Sequence, residues 1–417
     1  MSSRISVDHN TMREMNLALV LNTLRQNETL SRADIARLTG LQKATVSNLI
    51  KELLERSYVM ELGVQSSSAP NHVGRPSSSL ALNPEAGYII GAEIGVDYII
   101  VVATDFAANI CEQYQESTRG SLAPKEEILN RTIEIIKDIY QKVSQHGRPV
   151  FGIGLGVPGI VNIHTGTLLF APNLGWRDLS LCKLMGETFN IPVYVDNEAN
   201  LAALGETYFG AGQGSDFVIY IVSGAGLGGG IVINGQLLTG GAGFSGEFGH
   251  MTVDSAGLRC NCGNFGCWET VASQKAVFRR VREAITTGNQ STLMETTQSD
   301  LSKLTIPMVV KAAQQGDQVA LHALEETGFW LGLGIANLIN ALNPKRIVFG
   351  GTLSQAHEIL LPIIKDVVKQ RALEWSSENT DVLIAKYGIN SCVIGGVARI
   401  YHKVLNQPTQ WMNTISS

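Results

Sequence analysis

The sequence predicts an α/β body, residues 83–417, preceded by a winged helix-turn-helix head, residues 1–82. Three observations carry that prediction. Residues 12–56 read as three short amphipathic helices, the second and third separated by a glycine turn. Strand-like runs at 58–62 and 77–82 flank a polar loop. From Asn83 onward, buried-strand patterns alternate with helical ones, as in a layered α/β body.

In the head, MREMNLALVLNTLRQ (12–26) spaces Met15, Leu17, Leu19, Val20, Leu21 and Leu24 at largely helical intervals. Ser31 is placed as an N-cap with Asp34 three residues on, and the short helix ends at Thr39-Gly40. The third helix, QKATVSNLIKELLER, buries Val46, Leu49, Ile50, Leu53 and Leu54. Its opposite face carries Gln42, Lys43, Thr45, Ser47 and Asn48 in the first two turns, where a recognition helix meets base edges. The same residues would also serve as an ordinary solvated face. The loop QSSSAPNHVGRPS between the two strands is tipped by Gly74-Arg75-Pro76. Either Arg75 reaches into a narrow minor groove, or the segment is an interdomain linker. The flanking helices favour a winged, DNA-binding domain.

Composition bounds the rest. With 417 residues, two or three domains are expected. Hydrophobic residues make up 44% and charged residues 17%, so core material is ample. No apolar run approaches the roughly 20 residues of a membrane span, and MSSRISVDHN lacks the apolar core of a signal peptide. Six cysteines, three of them clustered, fit a reducing compartment, so a cytoplasmic location is expected. Residues 1–82 hold nine Lys/Arg against seven Asp/Glu, and the remainder 23 against 30. A mildly basic head on an acidic body is compatible with nucleic-acid binding.

In the body, Tyr88–Ile94 and Ile99–Thr104 read as a hairpin of buried strands and Ile110–Gln115 as a third strand. Glu126–Ser144 reads as an amphipathic helix and Val150–Val157 as a glycine-interleaved strand. The most telling segment is EFGHMTVDSAGLRCNCGNFGCWE (247–269). His250 with Cys260, Cys262 and Cys267, spaced C-x-C-x4-C, is a complete tetrahedral donor set for zinc with no position left for water. Such a closed set is structural and pins a loop. The flanking Glu247 and Glu269, and the other nitrogen of His250, offer hydrogen bonds to the hydroxyls of a sugar.

These motifs, with GVPGIV (156–161), APNLGWRDLSL (171–181), PVYVDNEANLAALGE (192–206) and SGAGLGGGIVINGQL (223–237), resemble the ROK family of repressors and sugar kinases. Within it, GVDYI (95–99), NLGWRD and NEAN are most similar to the xylose repressors of Gram-positive bacteria. The resemblance implies a two-lobed, actin-like ATPase fold, with a first lobe at 83–200 and a second at 201–417. The second lobe would carry the zinc site, and its C-terminal helix would return to the first. It places sugar contacts on Asn197, Glu198, Glu247, His250 and Glu269, with His250 serving both zinc and sugar. Asn173 and Trp176 are candidates for the same cleft, although Trp176 serves equally well as a core aromatic.

Kinase members of the family need three features. The first strand turn should read Asp-x-Gly-Gly-Thr, whereas this chain has Glu93-Ile94-Gly95-Val96-Asp97. Asp97 would repel a phosphate rather than cradle it. The general base is an aspartate, and here Glu198 holds that position with one extra methylene, a displacement of roughly 1.5 Å. Misplacement by about 1 Å at a reacting centre costs on the order of 100-fold. The second phosphate loop, Ser223-Gly224-Ala225-Gly226, is close to intact. The Gly350-Gly351 and Gly395-Gly396 pairs are compatible with turns alone.

The resemblance therefore implies a sensor, not an enzyme. The expectation is a sugar-responsive transcriptional repressor of carbohydrate-utilisation genes, a homodimer or homotetramer on operator DNA. A free sugar would release it, xylose first and glucose next. Two alternatives stay open: an active sugar kinase with a DNA-binding head, and a repressor controlled by a protein partner. Leu331–Leu342, LGLGIANLINAL, suits tight helix packing either in the core or at an interface.

Overall fold

Local sequence rules build the head of this computed structural model, which describes residues 9–27, 29–63, 78–118, 122–241 and 243–414. Helix α1 spans His9–Asn27, α2 Arg32–Thr39 and α3 Lys43–Glu55. Ser31 caps α2 through a reciprocal box with Asp34, and Gly40 ends it at φ 71°. Leu17, Val20, Leu21 and Leu24 meet Ile35, Val46, Leu49, Ile50 and Leu53 in one buried cluster. Met15 and Leu19 are instead exposed. Each lies two residues from Leu17, so a helical advance of about 100° per residue turns both to the opposite face.

Strands β1 (Val59–Leu62) and β2 (Ser79–Leu82) pair antiparallel, and Leu30 bridges to Leu80. The connection between them, with Arg75, falls outside the described residues. The head is not a separate globule. The Tyr58 ring meets Phe106 edge-on at 5.5 Å and Phe151 at 6.0 Å, so its core runs into that of the body.

The body begins with β3 (Tyr88–Ile94), β4 (Tyr98–Asp105) and β5 (Ile110–Ser117), followed by helix α4 (Lys125–Ser144) and β6 (Val150–Val157). α4 lays Ile128, Leu129, Ile135, Ile136, Ile139 and Val143 on the sheet. A three-stranded flap follows, made of β7 (Ile160–Asn162), β8 (Thr167–Ala171) and β9 (Trp176–Ser180). Helix α5 (Leu181–Phe189) then leads to β10 (Val193–Asn197) and helix α6 (Glu198–Phe209).

The second sheet comprises β11 (Phe217–Ser223), β12 (Leu227–Ile233), β13 (Gln236–Leu237), β14 (Arg346–Gly350) and β15 (Asp381–Ile384). Numbered within each sheet, both run in the order 5-4-1-2-3. In both, the first three strands are antiparallel neighbours, and the fourth and fifth join parallel. The body is thus a topological duplication, two lobes with α6 running between them.

Glycines bring the backbones at that seam into contact. A Cβ at Gly395 would lie 1.8 Å from the Leu201 carbonyl oxygen, and one at Gly154 would lie 2.2 Å from the Gly396 oxygen. Gly395-Gly396 is therefore no turn. It sits inside the helix Ser391–Asn406, which packs on α6 and on β3 and β6 of the first lobe. The small-residue stretch at 331–342 lies within the helix Gln318–Leu342 and packs in the second-lobe core. Gly332 abuts Val367 there and Gly334 the Trp268 ring.

Candidate functional site

The N-terminus of α6 forms the floor of the interlobe cleft. β10 delivers Asp196 and Asn197, and Asn197 caps the helix by accepting from the amides of Ala199 (2.8 Å) and Asn200 (3.3 Å). Its amide nitrogen donates to Gly159 O at 3.0 Å and to Glu198 Oε2 at 2.9 Å. Asp196 Oδ1 accepts from Asn197 N and the Asn200 side chain, while buried Asp196 Oδ2 has no partner. Asp196, Asn197, Asn200, Gly159, Phe244 and Glu247 line one pocket.

The floor is acidic. Glu198 is held well above the usual carboxylate range by desolvation, reinforced by the charges of Glu93, Glu247 and Asp196. Glu247 in turn is within electrostatic reach of His250 and Glu269. Glu269 Oε2 accepts from Leu227 N at 3.0 Å. It stands against the backbone of Gly226, close to the side-chain amide of Asn173. Asn173 also accepts from Lys275 Nζ at 3.4 Å. Of the predicted residues, Asn197 and Glu247 line this pocket, Glu198 and His250 lie within electrostatic reach of Glu247, and Glu269 stands beside Gly226 with Asn173. Trp176 does not join them, being 4% exposed and packed in the first-lobe core.

The cysteine loop forms one wall. The ligand atoms of His250, Cys260, Cys262 and Cys267 lie within 4.8 Å of one another. Cys262 Sγ is 3.7 Å from Cys267 Sγ, and Cys260 Sγ is 3.7 Å from His250 Nδ1. Tetrahedral bonds of about 2.3 Å to sulfur and about 2.05 Å to nitrogen require separations near ~3.8 and ~3.6 Å. Both of these separations match a four-coordinate site, and the cluster could hold a metal ion. Gly266 makes the fold of the loop possible: its φ is 65°, and a Cβ there would lie 1.6 Å from Asp254 O. Adjacent Trp268 is fully buried and donates Nε1 to Trp330 O at 2.7 Å, anchoring the wall in the second lobe.

On the head, Gln42, Lys43, Ser47 and Asn48 are exposed on one side of α3, and Thr45 is half-buried. Arg75 lies outside the described residues. Sequence reasoning passed over Asp196 and Asn200, although both flank the Asn-Glu pair it did use. It also missed Tyr98, whose hydroxyl reaches Glu93 beneath the cleft. No periodicity or motif announces a ring folding back across a turn.

Residues 89–403 match the ROK family, and residues 18–62 match the MarR family. The chain is 36% identical over 403 residues to the xylose repressor of Caldicellulosiruptor bescii, covering 96% of this chain and 99% of that one. It is 38% identical over 320 residues to a glucokinase of Halalkalibacterium halodurans, covering 74% and 93%. A solved ROK family transcriptional regulator, a homologue of the Escherichia coli MLC protein, superposes with a TM-score of 0.81. Its identity is 27%, over 97% of this chain and 100% of that one. Among the described residues, no helix is long and apolar enough to cross a membrane. With a ROK body on an actin-like fold and a helix-turn-helix domain at its N-terminus, the chain belongs to the ROK family.

Proposed function

We propose that this chain is a sugar-responsive transcriptional repressor. The observation that carries the reading is the joining, in one continuous core, of an exposed polar recognition face to an acidic interlobe cleft. On this reading α3 enters the major groove of operator DNA with Gln42, Lys43, Thr45, Ser47 and Asn48, and Arg75 of the wing reaches the minor groove. A homodimer or homotetramer places two such heads on a palindrome. The full-length likeness to a xylose repressor supports this assignment over a kinase.

The cleft would take an unphosphorylated sugar, xylose first and glucose next. Asn173, Asn197, Glu198, Glu247, His250 and Glu269 would bind its hydroxyls, and unpartnered Asp196 Oδ2 offers a further acceptor. Zinc would be held by His250, Cys260, Cys262 and Cys267. Coordination through Nδ1 would fix the imidazole so that Nε2–H donates to the sugar.

The test is fluorescence anisotropy of the purified protein on its own upstream DNA, titrated with free sugars. Release by one sugar, at concentrations where its isomers do nothing, supports the reading and names the inducer. Specific binding that no sugar disturbs favours control by a protein partner. Absent specific binding, accompanied by ATP-dependent sugar phosphorylation, would establish the kinase alternative.

A further inference from the structure

The helix that begins in the cleft ends against the DNA-binding head. α6 carries Glu198 and Asn200 in its first turn and Tyr208 in its last. Its 12 residues span about 18 Å at 1.5 Å per residue. At the far end, Arg25 in the last turn of α1 donates Nη1 to Tyr208 O at 3.4 Å, and its guanidinium lies 4.5 Å from the Tyr208 ring centroid. The Tyr208 hydroxyl hydrogen-bonds to His402 Nδ1. Burial pushes His402 down to about 4, so it stays neutral at physiological pH.

Both lobes grip α6 at backbone distance. A Cβ at Gly230 of the second lobe would lie 2.7 Å from Ala203 Cβ and 2.8 Å from Ala199 O. One at Gly205 of α6 itself would lie 2.7 Å from Ser391 O. No long side chains stand between these backbones to absorb a change in lobe closure, and a close-packed seam passes strain on. A shift at the Asn197 end must therefore move α6 as a body, carrying Tyr208 with it.

From α1 the path to α3 is short. Arg13 of α1 pairs with Glu52 of α3, and Leu17 and Leu21 share a core with Val46, Leu49 and Ile50. Further polar ties of α1 to the body, such as Asn22 to Asn406 and Glu14 to Thr409, reach C-terminal segments. Arg25 and Tyr208 join α1 to α6, whose other end lines the cleft; the helix Ser391–Asn406, which also meets α1, is the parallel connection.

We infer that Arg25 and Tyr208 are positioning residues through which α6 transmits the state of the sugar cleft to the DNA-binding head. The inference rests on the sugar-responsive reading above. The test compares wild type, Arg25→Met and Tyr208→Phe as full-length proteins. Methionine keeps the apolar stem of Arg25 and removes the guanidinium; phenylalanine keeps the ring and removes the bond to His402. Operator affinity is measured with and without D-xylose, and xylose affinity by calorimetry with and without operator.

In wild type, xylose weakens operator binding by about tenfold or more, and operator weakens xylose binding by the same factor. In Arg25→Met, each ligand alone binds within about threefold of wild type, while the mutual factor falls below about two. Tyr208→Phe lies between. A purely structural role would lower melting temperature and both affinities together, leaving their mutual factor intact, and that result overturns the inference. So does an Arg25→Met protein with the full wild-type factor. A wild-type protein that binds both ligands without mutual effect refutes the sugar-responsive reading itself. A second readout separates the two: hydrogen exchange at α1 should change on Glu198→Gln substitution in an otherwise wild-type chain, and not when Arg25→Met is also present.

Discussion

Tyr98 donates its hydroxyl to Glu93 Oε1 at 2.5 Å and lays its ring over the backbone of Gly95. A Cβ at Gly95 would lie 2.4 Å from the ring. The turn between β3 and β4 is where kinase members of the family hold phosphate. Here an aromatic ring covers the glycine, and exposed Asp97 adds a negative charge.

The first prediction is that this turn excludes nucleotide. Wild-type protein should give no calorimetric signal with magnesium-ATP. Combined Val96→Gly, Asp97→Thr and Tyr98→Ala substitutions should create measurable binding. Removing the ring costs on the order of 3–5 kcal/mol of stability, so the variant is checked for folding first. Micromolar ATP binding by the wild type would defeat the prediction.

Glu93 supplies the second. It is 3% exposed, and burial pushes it up to about 7, against the opposing hydrogen bonds from Tyr98 and Cys392. The folded state therefore holds a proton between roughly pH 4.5 and 7 that the unfolded chain releases. Its contribution is fully present below the unfolded value and is lost as pH rises through 7, by up to ~3 kcal/mol. Denaturant titrations of Glu93→Gln should show a shallower decline from pH 5 to 8 than wild type. Part of the slope should remain, because Glu198 and Asp196 are also raised. Parallel pH profiles for the two proteins would contradict this.

What could be read directly from the sequence was local. The Ser31–Asp34 capping box spans four residues and the cysteine motif eight, so propensity and spacing alone place them. Asn197 and Glu198 are legible as candidates because one short motif carries both. Trp176 was undecided in sequence, since an aromatic beside a cleft motif suits either environment; the first-lobe core takes it. The duplicated strand order, the Tyr98 ring and the Arg25–Tyr208 contact left no such mark. The last of these joins residues 183 positions apart, and it exists only because the head packs on the body.

Metal removal gives the third prediction. Emission spectrometry should find one zinc per chain, and Cys262→Ser should abolish it. Cys262 is the exposed member of the cluster, so its substitution disturbs packing least. Losing a metal present at about 1,000 times its dissociation constant removes on the order of 4 kcal/mol, lowering the second-lobe melting temperature. Sugar affinity should fall by about tenfold or more, because His250 loses its anchor. The head should keep its fold, as its core includes none of these residues. Zinc-free wild type with unchanged sugar binding would dismiss the cluster as a metal site.

The recognition helix provides the fourth, and two exposed residues of α3 should fail in different ways. Lys43 stands at the first position of the helix, where the proposed operator complex would bring a phosphate; Asn48 lies farther along the same polar face. Replacing Lys43 with alanine should weaken binding to all DNA alike and reduce the salt dependence by about one released ion per head. Replacing Asn48 with alanine should cost on the order of 1–3 kcal/mol on the operator alone and leave the salt slope unchanged. The distinction is physical: a phosphate contact releases counterions and carries no sequence information, whereas an amide that reads a base edge does the reverse. Equal losses on operator and random DNA for Asn48→Ala would remove it from the reading face. An unchanged salt slope for Lys43→Ala would show that its ammonium meets no phosphate.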